Sequence, residues 1–307
     1  MQLFNVRSLI SPERRHALAN SIISSSIHII CLTETWLTED HLSAELFLPG
    51  YCIYRKDRTT STGTSKHGGV LIAVRTNIPH TLIDPKHYPD YDNDDFTDVV
   101  LCKLAFSESK TFIIACFCNP PMGSSYHWSL QKWSRILLFT KMVANPNDCI
   151  LFRGDANMPG TDWQTAFSQN PYEESLIDLY ASHNLTQLID FPTTQSNCLD
   201  LVLASSDKHI IDTCLDTYTS NNYSIGGKCL SDHLALSITI DVKADVQLTK
   251  PKKKLSFGSA DYDQLDDLIQ QNPFSGRCWS NPNVLLAEWY DWLKHLLRQA
   301  VPTKTQH

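Results

Sequence analysis

No stretch of this 307-residue chain approaches the ~20 consecutive apolar residues that span a bilayer; its longest apolar runs are FIIACFC and CILF. The start, MQLFNVRSL, lacks the charged-then-apolar pattern of a secretory leader. Positive charge is not in excess: 26 lysines and arginines face 33 aspartates and glutamates, a net −7. That balance argues against binding nucleic acid by overall attraction, while leaving any local face open. The ten cysteines include no CxxC pair, and Cys31, Cys102, Cys116 and Cys149 sit inside hydrophobic runs, where a thiol serves as a small apolar group. Twelve histidines do not complete a zinc pattern. No internal repeat and no YxDD-type reverse-transcriptase signature is present; QLDDLIQ carries two acids but lies on a helical pattern. What remains is a soluble, intracellular globular protein, 42% hydrophobic, with enough length for one large core or two modest ones.

What is there is a series of short β-type runs: HIICL, GVLIAV, DVVLCKLAF, TFIIACF, CILF, LDLVLA and LALSITI. In the last, Leu234, Leu236, Ile238 and Ile240 alternate with small or polar residues, the period of a half-buried strand. Ser11 and Pro12 open a helix expected to run to about Ile23, as N-cap and first-turn residue. Tyr126, Leu130, Trp133, Leu137 and Met142 are spaced for a second helix packed on one face. Many strands with fewer helices predict two packed sheets with helices outside. After Val242 the texture turns polar and lysine-rich before two helical patterns. The domain edge is therefore expected near 245, with residues 1–245 as one domain and 246–307 as a linker and helical extension.

Polar residues terminate the strands. Asn5 ends MQLFN, Glu34 ends HIICLTE, Asp155 and Asn157 follow CILFRG, Asp200 opens LDLVLA, and Asp232 and His233 precede LALSITI. Each has a bland alternative as a turn, an exposed acid or a satisfied core histidine. Together they supply oxygen ligands for a hard cation, which points to magnesium or manganese. An acid beside an imidazole can also orient or activate a water, completing the parts of metal-assisted phosphodiester hydrolysis. In that setting the sheet edge holds the side chains, while Gly154 and Pro159 let the chain turn away from the cleft.

NVRSL, LTETWL, GGVLIAV, GDANMPGTDW, LDLVL and SDHLAL, in this order over residues 3 to 242, resemble the endonuclease/exonuclease/phosphatase superfamily. Within it the chain is similar to the apurinic-endonuclease-like domain of non-LTR, LINE-type retrotransposons. The resemblance implies a four-layer α/β/β/α sandwich, DNase I-like, with the helical extension leading towards a reverse-transcriptase region. It implies Glu34 as principal metal ligand for Mg2+ or Mn2+, with Asn5 beside it and Asp232 as a further metal-side carboxylate. Asp155 would orient or deprotonate the attacking water and Asn157 would hold a phosphate oxygen. His233 would contact the phosphate, and Asp200 would orient and charge that imidazole. Whether aspartate or histidine is the base stays open.

The wider superfamily commonly has a phosphate-contacting tyrosine where this chain has Cys118, and a thiol is a shorter, weaker donor. Tyr126 is a second candidate for that contact. Arg7 stands where apurinic endonucleases carry an aspartate. For DNA binding the candidates are Arg55, Lys56, Arg58, Lys66 and His67, expected in a loop that contacts phosphates without reading sequence. Trp163 and the polar stretch 216 to 229, where the family has a groove-entering hairpin, join them.

The resemblance thus implies a Mg-dependent DNA endonuclease whose nick leaves a 3′-hydroxyl for target-primed reverse transcription. Two alternatives stand beside it: a lipid or inositol-phosphate phosphodiesterase or phosphatase, and a catalytically impaired retrotransposon-derived DNA-binding remnant. Nuclear location follows if chromosomal DNA is the target, and cytoplasmic location otherwise; KPKKK is a weak import candidate.

Overall fold

The computed structural model describes residues 1–23, 27–58, 67–88, 90–91, 96–107, 110–124, 127–242, 253–255, 259–271, 273–274 and 282–305. Two compact units divide the chain, Met1–Ala244 and Asp245–His307. The first carries strands β1 (Gln2–Asn5), β2 (Ile29–Thr33), β3 (Tyr51–Lys56), β4 (Val70–Arg75), β5 (His80–Ile83), β6 (Val99–Ser107), β7 (Lys110–Cys118), β8 (Cys149–Asp155), β9 (Thr186–Gln187), β10 (Asp200–Ala204), β11 (Ile210–Asp216) and β12 (Ala235–Ile240). Its helices are α1 (Pro12–Ile23), α2 (Leu130–Val143), α3 (Pro171–Ser182) and the short α4 (Thr217–Asn222).

The strands form two six-stranded sheets, ordered β11-β12-β1-β2-β4-β3 and β9-β10-β8-β7-β6-β5. Each is antiparallel except for one central pair: β1 runs parallel to β2 and β7 parallel to β8. A parallel pair cannot close with a hairpin, so a helix crosses over in each sheet, α1 in the first and α2 in the second.

Side-chain alternation decides which face is which. Leu3, Ile29 and Cys31 join Ile114, Cys116 and Leu151 in the layer between the sheets. Their neighbours Phe4, Ile30 and Leu32 pack outward with Leu18 and Ile22 of α1. Ile113, Ala115 and Phe117 pack outward with Trp133, Ile136 and Leu137 of α2 and Leu176 of α3. The result is the DNase I-like fold, two mixed sheets flanked by helices, with further helices after it. Burying one apolar face per strand on each side gives about 25 cal/mol per Å² of driving force, which is why period-2 runs settle into layers.

Two expectations need correction. In α2 the buried face is Trp133, Ile136, Leu137, Phe139 and Thr140, whereas Leu130 and Met142 are exposed, at 36% and 51%. Met142 falls on the flank away from the sheet by the 3.6-residue period, whereas Leu130 shares the face of Leu137 and is exposed as the first residue of the helix. Tyr126 lies outside the described residues. Gly154 is not a turn but part of β8, opposite Phe117. A Cβ at this glycine would sit 1.8 Å from the Phe117 carbonyl oxygen, so only glycine lets β8 approach β7 there.

The second unit holds α5 (Tyr262–Gln270), capped by Asp261, and α6 (Pro282–Ala300). Lys253–Leu255 pairs antiparallel with Thr303–Thr305, so the end of the KPKKK run is β structure. Among the described residues no helix is long and apolar enough to cross a membrane.

Candidate active site

The two central parallel pairs send their carboxyl ends to one edge of the sandwich, and there the sheets exchange polar contacts. Asn5, last residue of β1, donates from Nδ2 to Asp155 Oδ2, at the end of β8, at 3.0 Å. Asp200, first residue of β10, lies directly opposite Asp155 in the ladder. His233, just ahead of β12, holds Asp200 Oδ2 through Nδ1 at 2.7 Å. Asn5 Nδ2 is also 3.5 Å from His233 Nε2. Residues spread from 5 to 233 thus meet as one cluster, and Asn5, Asp155, Asp200 and His233 are all buried.

Asn157 completes the edge by leaving the strand in the left-handed region, at φ 50°. That backbone bend lets its amide nitrogen donate to Asp155 Oδ1 at 3.0 Å. Its side chain donates to the Asn119 carbonyl at 2.7 Å.

The cluster's charges are strongly biased. Burial, and then the facing Asp200 carboxylate, hold the Asp155 carboxyl well above the usual carboxylate range; Glu34 adds to this and His233 opposes it. Burial pulls the His233 imidazole down, but the Asp200 carboxylate, helped by Asp155 and Asp232, overrides it and lifts the ring to about 10. A ring charged at neutral pH donates from both nitrogens. Nδ1–H is spent on Asp200, and Nε2–H, beside the Asn5 amide donor, is left for an oxygen from outside.

Glu34 stands differently. It follows β2 at φ 53°, and the loop it faces contains Arg7 and Ser8 at φ 46° and 104°, with Trp36 at 57° just beyond. The Ser8 amide donates to the Glu34 carbonyl at 2.8 Å, tying the two strained loops together. Each such residue costs about 1–3 kcal/mol, and strain of this kind collects where backbone geometry serves a site. The Glu34 carboxylate is half-buried and makes no hydrogen bond or ion pair among the described residues. Asp232 is instead engaged by Arg7, Nη1 to Oδ2 at 2.9 Å, with both side chains about half exposed, at 50% and 54%.

Among the described residues no group of three or more His, Cys, Asp or Glu side chains is arranged to enclose a metal. Magnesium binds through one or two carboxylates and fills its octahedron with water and phosphate oxygens. An unpartnered carboxylate at Glu34, felt electrostatically by Asp155, next to an amide at Asn5, is a hard-oxygen donor set of that type.

Residues 3–233 match the Endonuclease/Exonuclease/phosphatase family. The chain belongs to that family. Three solved structures share the fold. The AP endonuclease LMAP from Leishmania major aligns at TM-score 0.56 and 16% identity, over 78% of this chain and 87% of that one. The 3′ phosphatase NExo from Neisseria, bound to product DNA hairpin, aligns at 0.54 and 16%, over 78% and 98%. The APE2 catalytic domain from Xenopus laevis aligns at 0.53 and 14%, over 78% and 91%. No curated protein matches the chain in sequence.

Within this endonuclease/exonuclease/phosphatase frame, the expected DNA contacts fare unevenly. Arg55 and Lys56 lie in edge strand β3 rather than in a loop. Arg55 is largely covered, paired with Asp57 at 2.9 Å and donating to the Thr38 carbonyl at 2.7 Å. Arg58 is not a surface group: its side chain is 6% exposed and its Nε donates to Asp98 Oδ2 at 2.6 Å. The other Asp98 oxygen accepts from the Gly69 amide at 2.6 Å, so this buried pair anchors the start of β4 instead of reaching for DNA. Lys66 lies outside the described residues. His67 stacks on Trp36, ring centroids 3.9 Å apart. Trp163 is half-buried, its Nε1 donating to the Cys198 carbonyl at 3.3 Å. Cys118 is 2% exposed, and burial, then Asp155, Asp98 and Glu34, push its thiol up. It lies beneath the site, and no phosphate contact is available to it. The stretch 216 to 229 forms α4 and then a tight ladder pairing Ser224–Ile225 with Lys228–Cys229.

Three supporting residues escaped the sequence reading. Asn119, fully buried, donates from its amide to the Asp155 carbonyl at 2.8 Å and from Nδ2 to the Ala156 carbonyl at 3.0 Å, fixing the turn that carries Asn157. Ser231 Oγ donates to the Asn5 carbonyl at 2.7 Å and accepts from the His233 amide at 3.1 Å. Thr193 Oγ1 accepts from the Asp200 amide at 3.1 Å. Asn119 had a signal, an amide ahead of two prolines at a strand end; the hydroxyls had none.

Proposed function

We propose that this chain is a magnesium-dependent endonuclease that nicks one strand of DNA, leaving a 5′-phosphate and a 3′-hydroxyl. The hydroxyl then primes reverse transcription by a segment of the LINE-type kind its motifs resemble, on chromosomal DNA and so in the nucleus. The observation that carries the reading is the hydrogen-bonded cluster of Asp200, His233, Asn5 and Asp155, drawn from both sheets.

Each residue has a task its geometry suits. Asp155, its carboxyl held well above the usual carboxylate range and anchored at both oxygens by Asn5 and Asn157, orients the attacking water and takes its proton. His233, held cationic by Asp200, gives Nε2–H to a non-bridging phosphate oxygen and stabilises the charge that builds there. Asn157 positions a second phosphate oxygen. Glu34, with Asn5 beside it, would hold the divalent ion, whose chemistry is to neutralise phosphate oxygens and stabilise the leaving alkoxide. Arg7 and Asp232, paired and half exposed, form the rim on the side of that ion.

Support for DNA over lipid or inositol phosphates comes from the DNA-bound Neisseria neighbour. A supercoiled-plasmid assay tests the reading. Wild type should relax the plasmid with Mg2+ and not with EDTA, Asp155→Ala and His233→Ala should be inert, and sphingomyelin and inositol phosphates should not be hydrolysed. Nicking by the two variants at the wild-type rate would remove the assigned chemistry.

A further inference from the structure

The opposite end of the second sheet holds a feature that the nuclease reading does not use. Strand β8 starts there, at Cys149, six residues before Asp155, which at about 3.3 Å per residue puts the feature roughly 20 Å from the catalytic edge. It is a cavity of about 690 Å³, within the size range of small-molecule sites. Ala144, Pro146 and Ile150 contribute to its apolar floor, and Lys141, His183, Lys208 and His209 stand around it.

Its charge is unbalanced. The one carboxylate in the lining, Asp148, is already bound: it accepts from Lys103 Nζ at 2.6 Å, from the Asn145 amide at 2.8 Å and from the Thr111 hydroxyl. Lys141 and Lys208 make no side-chain hydrogen bond or ion pair among the described residues. In a chain of net charge −7, two unpaired ammonium groups around one concavity, with no free acid in its lining, are an anion-attracting arrangement, and the two imidazoles can add hydrogen bonds.

Helix ends do not account for it. Lys141 is in the last turn of α2 and His183 follows α3, positions where a cation can answer the helix dipole. Neither side chain bonds a terminal carbonyl among the described residues. Lys208 and His209 come from the turn between β10 and β11, where no helix ends. Burial, and then the Lys141 charge, pull the His183 imidazole down.

We infer that this cavity is a second binding site, for a phosphorylated small molecule with an apolar or aromatic body, the class to which mononucleotides belong. The phosphate lies between Lys141 and Lys208, and the body rests on the floor at Ala144, Pro146 and Ile150. A concavity of this size favours a small ligand over duplex DNA, whose convex backbone would meet only the rim.

Isothermal titration of the full chain with AMP in EDTA, on the His233→Ala, Asn157→Ala background so that the phosphate contacts of the catalytic edge are removed, tests this. AMP should bind with adenosine silent and inorganic pyrophosphate weaker. The double variant Lys141→Glu, Lys208→Glu should lose affinity by about tenfold or more, while Lys86→Glu leaves it unchanged. Plasmid nicking by the double variant, made in the otherwise unchanged chain, should match wild type. No binding of AMP or pyrophosphate at millimolar concentration, or AMP binding that the double variant retains within about twofold, would overturn the site. Pyrophosphate binding as tightly as AMP would overturn the role of the apolar floor. A double variant whose circular dichroism departs from wild type is replaced by Lys141→Gln, Lys208→Gln, read in the same way. Because the binding is read without metal, it stands or falls separately from the nuclease reading.

Discussion

The candidate site has two halves that are built by opposite means. On one side, Asp200, His233, Asn5 and Asp155 are buried and, with the half-buried Asn157, joined by hydrogen bonds of 2.7–3.0 Å, backed by Asn119, Ser231 and Thr193. On the other, Glu34 presents an unpartnered carboxylate from a strained loop, and Arg7 and Asp232 pair in solvent. The difference teaches how labour is shared. Groups that move or hold protons must be fixed before substrate arrives, because misplacement there is costly. Groups that would receive a hydrated ion and a phosphate must be left unsatisfied, so that those ligands complete them.

The sharpest way to break the comparison is Glu34→Gln. It should remove Mg2+-dependent nicking by about 10²-fold or more while the thermal midpoint stays put, because the carboxylate supports no contact of the fold. A large fall in midpoint would place Glu34 in the built half instead. Asp155→Asn should lose activity comparably, by about 10²–10⁴-fold, yet raise the midpoint, since an ionised carboxylate facing Asp200 in a buried site destabilises the folded state at neutral pH.

Asp200→Asn probes the fixed half more finely. Removing that charge takes away the largest influence that raises the ring, so His233 should titrate well below about 10, as followed by NMR of the imidazole. The sign for stability follows. A pKa raised in the folded protein contributes stability that is fully present below about 6.5 and is lost as pH rises towards 10. The difference in unfolding free energy between wild type and His233→Gln should therefore shrink across that window.

Asn119→Ala should weaken the fixed half without touching substrate, destabilising the fold by about 1–3 kcal/mol through the Ala156 carbonyl and the Trp128 amide left unpaired. Nicking should fall with it as Asn157 loosens. Arg7→Ala should do least: a half-exposed pair contributes about 0–1 kcal/mol, so stability should barely move, and the readout is a modest shift in the Mg2+ concentration that supports nicking.

Legibility in the sequence followed the same division. The strands that were readable, such as Ile29–Thr33, Val70–Arg75 and Cys149–Asp155, are interior and nearly all buried. The four that were not, Tyr51–Lys56, His80–Ile83, Thr186–Gln187 and Ile210–Asp216, are the two edges of each sheet. An edge strand is half solvated and accepts polar residues, so its pattern fades. Reading YRKDR as a loop shows the consequence, since Arg55 and Lys56 belong to such an edge.

At the site, chemistry was legible and contact was not. Acids and amides at strand ends stood out because nothing in strand formation asks for them there. Arg58 read as a phosphate contact because a basic residue in a polar stretch looks exposed; its partner Asp98 lies 40 residues away, beyond the reach of any local pattern. Serine and threonine supports such as Ser231 and Thr193 were invisible for the same reason, being common residues whose partners are distant.

The division into a fixed half and an open half is tested most directly by soaking crystals with Mn2+ and recording anomalous scattering. The expected result is one peak within coordinating distance of the Glu34 carboxylate, with the hydrogen bonds of Asp200, His233 and Asn5 undisturbed. A peak lodged between Asp155 and Asp200, with Glu34 bare, would contradict it.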